Sequence, residues 1–218
     1  MTSARHLAGA LLIIAPLVFT AGFTGLQMTF DYPDILRQPG GEVLTRFAAA
    51  GVDLHIYWYA MMAAALGLIP ASVMTALHFW KRDPVLAGLS AALGALAGLV
   101  QALGLIRWVM LVPSLAATYT AAGAAEIDRA MAVSIFEAAN RYLGVGVGEH
   151  LGYLFTGAWR KGSEARNQGG GDARRWRGFL STIFAIFFRI TTIATRPGMG
   201  ASLSAASQKI STINLTSF

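Results

Sequence analysis

Glu149 and His150 stand side by side inside an otherwise apolar run from Leu143 to Trp159. A charged side chain in the hydrocarbon interior of a membrane is costly, so a carboxylate and an imidazole kept there point to handling of a ligand or a proton. Gln101 lies six residues before Arg107 in a second apolar run, and Asp53 and His55 open a third. If these runs are helices crossing one bilayer, Glu149 lies about 9 Å inside its nearer interface and Gln101 at a similar depth. The candidate intramembrane polar site is therefore Glu149, His150, Gln101, Arg107, Arg141, Asp53 and His55. The plainer alternative is structural: Glu149 hydrogen-bonds a neighbouring helix or pairs with an arginine.

Other chemistries find less support. His55, His78 and His150 are of the type that binds haem iron or zinc. However, His55 and His78 sit at opposite ends of one run, and Glu149-His150 lacks the flanking residues of either zinc-helix motif, so no metal and no cofactor is expected. No G-x-S-x-G elbow exists, and neither Ser72 nor Ser90 neighbours a histidine. Asp31 and Asp34 flank Tyr32-Pro33 and read as turn residues carrying exposed charge. Cysteine is absent, which excludes thiol chemistry and a disulfide scaffold.

The elements that must position these residues are membrane helices. The 218 residues are 55% hydrophobic and 13% charged, with a mean hydropathy of +0.54, which excludes a soluble domain and a disordered chain. About 20 helical residues cross a 30 Å hydrocarbon core. Four runs approach that length: Leu7 to Leu26, Leu54 to Phe79, Val85 to Ile106 and Leu143 to Trp159. A fifth candidate, Gly178 to Ala194, is interrupted by Arg189. The first run is longer than a signal-peptide core and lacks a clear cleavage site, so it is read as a span. Interfacial aromatics fit Tyr57, Trp58 and Tyr59 at one end of the second run and Trp80 at the other, and Trp108 beyond the third. The fold expected is an all-α, multi-pass transmembrane bundle of four spans with a fifth in question.

Basic residues are retained on the cytoplasmic side. With the N-terminus inside, Arg5, Lys81, Arg82, Arg160, Lys161, Arg166, Arg174, Arg175 and Arg177 lie inside, against Arg37, Arg46, Arg107, Arg129 and Arg141 outside. The outer connections are long, and in the second of them Ile127, Ala130, Met131, Ser134, Ile135 and Ala138 recur at helical spacing. This predicts an amphipathic surface helix near 126–142, with Glu137 and Arg141 paired four residues apart. Membrane helices approach closely where small residues recur every fourth position. Gly144, Gly148 and Gly152 form such a row, Gly94 and Gly98 another, and Ala21 and Gly25 a weaker one.

Longer stretches carry a resemblance. Phe30-Asp31-Tyr32-Pro33-Asp34-Ile35-Leu36-Arg37-Gln38-Pro39, Arg107-Trp108-Val109, Phe136-Glu137-Ala138-Ala139-Asn140-Arg141-Tyr142-Leu143 and Gly148-Glu149-His150-Leu151-Gly152 resemble a bacterial multi-pass membrane family catalogued as a domain of unknown function. The resemblance covers residues 1–159 and implies an architecture without a reaction. Members of that family continue with further apolar helices, whereas here the vocabulary changes. Leu outnumbers Ile 23 to 8 up to Trp159, and Ile outnumbers Leu 6 to 3 beyond it. Residues 160–177 read as a basic Gly/Arg linker, and the segment from 160 onward as a frameshifted or fused tail.

The function expected is that of a non-enzymatic integral protein of the bacterial inner membrane, its N-terminus cytoplasmic. Its polar cavity in the outer leaflet would accept a small molecule, a lipid or a proton. The alternative class is a membrane-embedded enzyme using Glu149 and His150. The partners expected are the lipid bilayer and, in a homo-oligomer, a second copy of the chain; no nucleic acid is expected.

Overall fold

A computed structural model describes residues 2–167 of the chain, with side chains placed for 6–160. The fifth apolar segment and most of the expected linker lie outside the described residues. Helix α1 (Thr2–Phe30) is followed by a 3-10 turn (Asp34–Arg37), then α2 (Gly40–Ala49) and α3 (Val52–Phe79). Helix α4 (Pro84–Ile106) passes through a π-helical turn (Arg107–Leu111) directly into α5 (Val112–Thr120). Helix α6 (Glu126–Ala139) likewise passes through a π-helical stretch (Asn140–Leu151) into α7 (Gly152–Asn167). Among the described residues there is no strand. Because α7 reaches Asn167, the first residues of the stretch read as a linker are helical.

Local chemistry explains the boundaries. Asp83 caps α4 by accepting a hydrogen bond from the Leu86 amide at 2.9 Å, and Pro84 takes the first helical position, where a missing N–H costs nothing. Between α1 and α2 the backbone reverses at Asp31, whose φ of 57° is a left-handed value that aspartate tolerates. Asp31 and Asp34 carry exposed charge and approach Arg46 at 3.9 Å and Arg37 at 3.4 Å, as turn residues do.

Helix α1 packs along α3, α3 along α4, and α4 along both the π-helical stretch and α7. Among the described residues, three helices are long and apolar enough to cross a membrane: His6–Phe30, Val52–Phe79 and Pro84–Thr120. The four spans expected are thus three by length and apolarity, because the fourth run carries Glu149 and His150 and ends at Arg160 and Lys161. The flanks of these helices expose Ile14, Leu17, Ile56, Leu66, Leu89, Leu99 and Leu103, a belt of apolar side chains suited to lipid rather than water. At 1.5 Å per residue the 37-residue helix Pro84–Thr120 measures about 55 Å, well beyond a 30 Å hydrocarbon core.

Its excess length, α5, packs against α2 and α6 to form a cap over one end of the bundle. Ile35, Val43, Leu44, Phe47, Val112, Leu115, Ala132 and Phe136 are buried there. Helix α6 forms near where the spacing placed it, but with the opposite face inward. Ala132 and Phe136 are buried, whereas Ile127, Met131 and Ile135 are exposed and run on toward exposed Tyr142 and Val145. The expected Glu137–Arg141 pair does not form. A Cβ on Gly40 would lie 3.2 Å from a Glu137 carboxylate oxygen, which places that carboxylate at the first turn of α2, where a helix N-terminus favours negative charge.

Candidate functional site

The site lies where α4 and the α6–α7 helix cross. Moving down α4 from Arg107, each close approach is met by one further up its antiparallel partner. Arg107 lies against Gly144, Gly104 against Gly148, Gln101 against Gly152, and Gly94 against Trp159. A Cβ on Gly104 would sit 2.6 Å from the Gly148 Cα, so at this level the two backbones touch and only glycine fits on either side. Gly94 and Gly98 also face α3, the former against Ser72 and the latter against the Ala65 carbonyl. On α1 the close residues are Gly22 and Gly25, against Met61 and Tyr57, whereas Ala21 is exposed; the small-residue face lies one position from the Ala21 row.

Below the glycine contact Gln101 and Ser72 both find hydrogen-bond acceptors. The Gln101 side-chain amide donates to Thr156 Oγ1 at 3.2 Å. The buried Ser72 hydroxyl lies 2.9 Å from the Ile69 carbonyl and 3.5 Å from that of Ala91.

Above that contact the arrangement changes. Arg107 is 5% exposed and opens the π-helical turn, a rare widening of the helix that often marks functional positions. Its guanidinium lies over Gly144, where a Cβ would come within 2.5 Å of Nη2, so the glycine makes room for it. Nη1 donates to the Gly104 carbonyl and Nη2 to Asn140 Oδ1 at 3.0 Å. Among the described residues no carboxylate lies within ion-pairing distance of Arg107. Glu149, half-buried on the next turn of the π-helical stretch, is near enough to interact with it through space only.

The guanidinium carbon lies 5.4 Å from the centre of the Trp108 ring. Trp108 stacks on Trp58 with centroids 4.5 Å apart and planes 2° from parallel. Phe30, Tyr32, Phe47 and Phe136 surround the Trp108 ring at 5.8 to 6.4 Å. Both indoles are fully buried. The Trp58 and Trp108 rings, expected to meet the headgroups, are instead covered by the cap, because α2 and α6 bring Phe47 and Phe136 across the end of the bundle. Three buried donors in this cluster lack an acceptor: Arg107 Nε, Trp58 Nε1 and Trp108 Nε1. Tyr32, against the edge of Trp58 at 5.0 Å, has its phenol pushed up to about 12, chiefly because burial disfavours the charged form, with Arg107 acting in the opposite direction.

The structure brings Arg107 and Glu149 to one place and puts Gln101 two helical turns below, on the same crossing. It leaves the other candidates apart. His150, Arg141 and Asp53 are exposed, and His55 is half-buried with its ring 5.2 Å from Phe47. Among the described residues no three metal-binding side chains gather. Asn140, Tyr32, Trp58 and Trp108 belong to the site without having been singled out for it. A buried arginine at a helix end needs a nearby side-chain acceptor, and Asn140 is the uncharged one in the segment that faces it.

Residues 7–160 match a protein-family model described as "Domain of unknown function (DUF4386)". With most of its length matched, the chain belongs to that family, and the segment beyond 160 is unmatched. No curated protein and no solved structure shows significant similarity to it.

Proposed function

We propose that this member of the DUF4386 family is a non-enzymatic membrane protein that binds a small molecule or lipid at the Arg107 cluster. One observation carries the reading: a buried guanidinium faces no carboxylate at ion-pairing distance and keeps a free donor. A buried charge left this way is expensive, and an occupant that complements it removes the cost.

The proposed setting is the cytoplasmic membrane of a bacterium, with four spans and the N-terminus inside. The length of contact between α4 and α7 supports the fourth span, since a helix packed along a membrane helix shares its depth. The orientation rests on Lys81 and Arg82 in the short α3–α4 turn. On this reading the cap and the Arg107 cluster face outward.

Native mass spectrometry of the detergent-purified protein tests the function. The wild type should retain a co-purified small molecule or lipid that Arg107→Gln loses while keeping its helix content. Equal retention by both proteins, or none by either, would count against a ligand site at Arg107. A phosphatase fusion after Trp80 should be inactive and one after Gly41 active; the reverse result overturns the orientation.

A further inference from the structure

We infer that the occupant of the Arg107 cluster presents a singly charged oxyanion, a carboxylate or a phosphodiester, on an apolar body. The inference rests on the ligand-site reading above and names the chemistry that site selects.

All three unsatisfied groups are donors: Arg107 Nε and the Nε1 atoms of Trp58 and Trp108. An indole N–H can only donate, and a guanidinium can only donate, so the ligand must supply acceptors. The positive charge adds a second requirement. Asn140 Oδ1 and the Gly104 carbonyl are neutral acceptors, and the nearest carboxylate, Glu149, stays beyond ion-pairing distance. A water molecule at Arg107 would accept a hydrogen bond and leave the charge uncompensated, whereas an oxyanion there supplies both the acceptor and the opposite charge. Two oxygens on one centre also match the planar fork of a guanidinium.

The surroundings set the rest of the ligand. Phe30, Phe47, Trp58, Trp108 and Phe136 are buried around the donors and make their environment apolar and aromatic, which disfavours a small hydrated anion such as free phosphate or acetate. Glu149 is half-buried and near enough to interact with the guanidinium through space. A fatty acid and an anionic phospholipid share the required chemistry.

The test uses the full chain in neutral detergent micelles with three probes: oleate, dioleoyl phosphatidylglycerol and oleyl alcohol. Binding is read by native mass spectrometry and by the change in tryptophan fluorescence. Saturable binding of oleate, of the phospholipid or of both, with oleyl alcohol at least about tenfold weaker, is the expected result. Oleate alone identifies a free carboxylate as the occupant, and phosphatidylglycerol alone identifies a phosphodiester. Arg107→Lys keeps the charge and removes the fork, so it should weaken binding about tenfold, and Arg107→Gln by more. If Arg107→Gln does not fold, Arg107→Lys and Trp108→Phe carry the comparison.

Alcohol binding as tight as oleate, and still dependent on Arg107, overturns the oxyanion assignment and leaves the ligand site standing. Binding of any probe that is unchanged in every variant, or no binding at all, overturns both.

Discussion

The two sides of the Gly104–Gly148 contact treat Gln101 and Arg107 in opposite ways. Toward α7, Gln101 finds Thr156, and Ser72 finds the Ile69 carbonyl on its own helix and, at 3.5 Å, that of Ala91 across the α3–α4 interface. Toward the cap, Arg107 finds only neutral acceptors, and three N–H groups find nothing. Both sides flank one crossing of α4 with the α6–α7 helix, with glycines opening room for the partner. What sets the cap apart is that three such N–H groups lie in one aromatic cluster around a buried cation, and this makes the cap the place to look for a ligand.

The largest expected effect breaks both sides at once. Gly104→Leu sets a side chain against the Gly148 backbone, which cannot turn away as a side-chain tip can. Overpacking of this kind costs about 1–3 kcal/mol. Thermal unfolding in detergent, followed by circular dichroism, should show a clear loss of stability and, because Arg107 and Gly144 separate with the helices, a parallel loss of ligand binding. Wild-type stability would show that the two backbones do not meet there.

A smaller effect isolates the satisfied side. Thr156→Val preserves shape and removes the acceptor of Gln101. Interhelical hydrogen bonds within membranes average about 0.6 kcal/mol, so the expected loss is of that order, with binding at Arg107 unchanged. A double variant with Gln101→Leu, in which neither partner remains, should recover part of the loss. If Thr156→Val abolishes ligand binding, the two sides are one site and the contrast between them fails.

How much of this was legible in the sequence follows the same division. Apolar runs near 20 residues announced the long helices, because the bilayer sets their length. The α4 start falls at Pro84, one residue before the apolar run, because Asp83 caps it. The face of α6 was not legible. Its apolar positions Ile127, Met131 and Ile135 satisfy the helical spacing, yet a membrane protein can expose such a stripe, so periodicity alone does not say which side is inward. Trp58 and Trp108 were misplaced for a related reason. An aromatic residue near the end of a span fits an interface equally well as a core, and what buries these two is Phe47 and Phe136, distant in sequence. Glu149 was recognisable by its cost inside an apolar run, and Arg107 only by its place at the end of one, where the sequence puts it among headgroups and the structure buries it. His150 has the same signal but lies on the exposed side of its helix, a distinction that the π-helical stretch obscures because it departs from the regular period.

The smallest effect is silent at neutral pH and tests how dry the cap is. Tyr32 touches the edges of both indoles and lies beside Arg107. A positive neighbour alone would pull a phenol below its ordinary value near 10, yet burial dominates and holds it at about 12. Folding therefore favours the uncharged phenol. The stability this contributes is fully present below about pH 10 and is lost as the pH rises through about 12. An ultraviolet titration of tyrosinate should show one tyrosine ionising later than the exposed ones, and Tyr32→Phe should remove that late step. In unfolding measurements the wild type should lose stability relative to Tyr32→Phe only above about pH 10, with little difference between them near pH 7. A phenol that titrates at its ordinary value would mean that water reaches the cluster freely. Water would then supply acceptors to the indoles and the guanidinium, and the contrast between the two sides of the glycine contact would lose its basis.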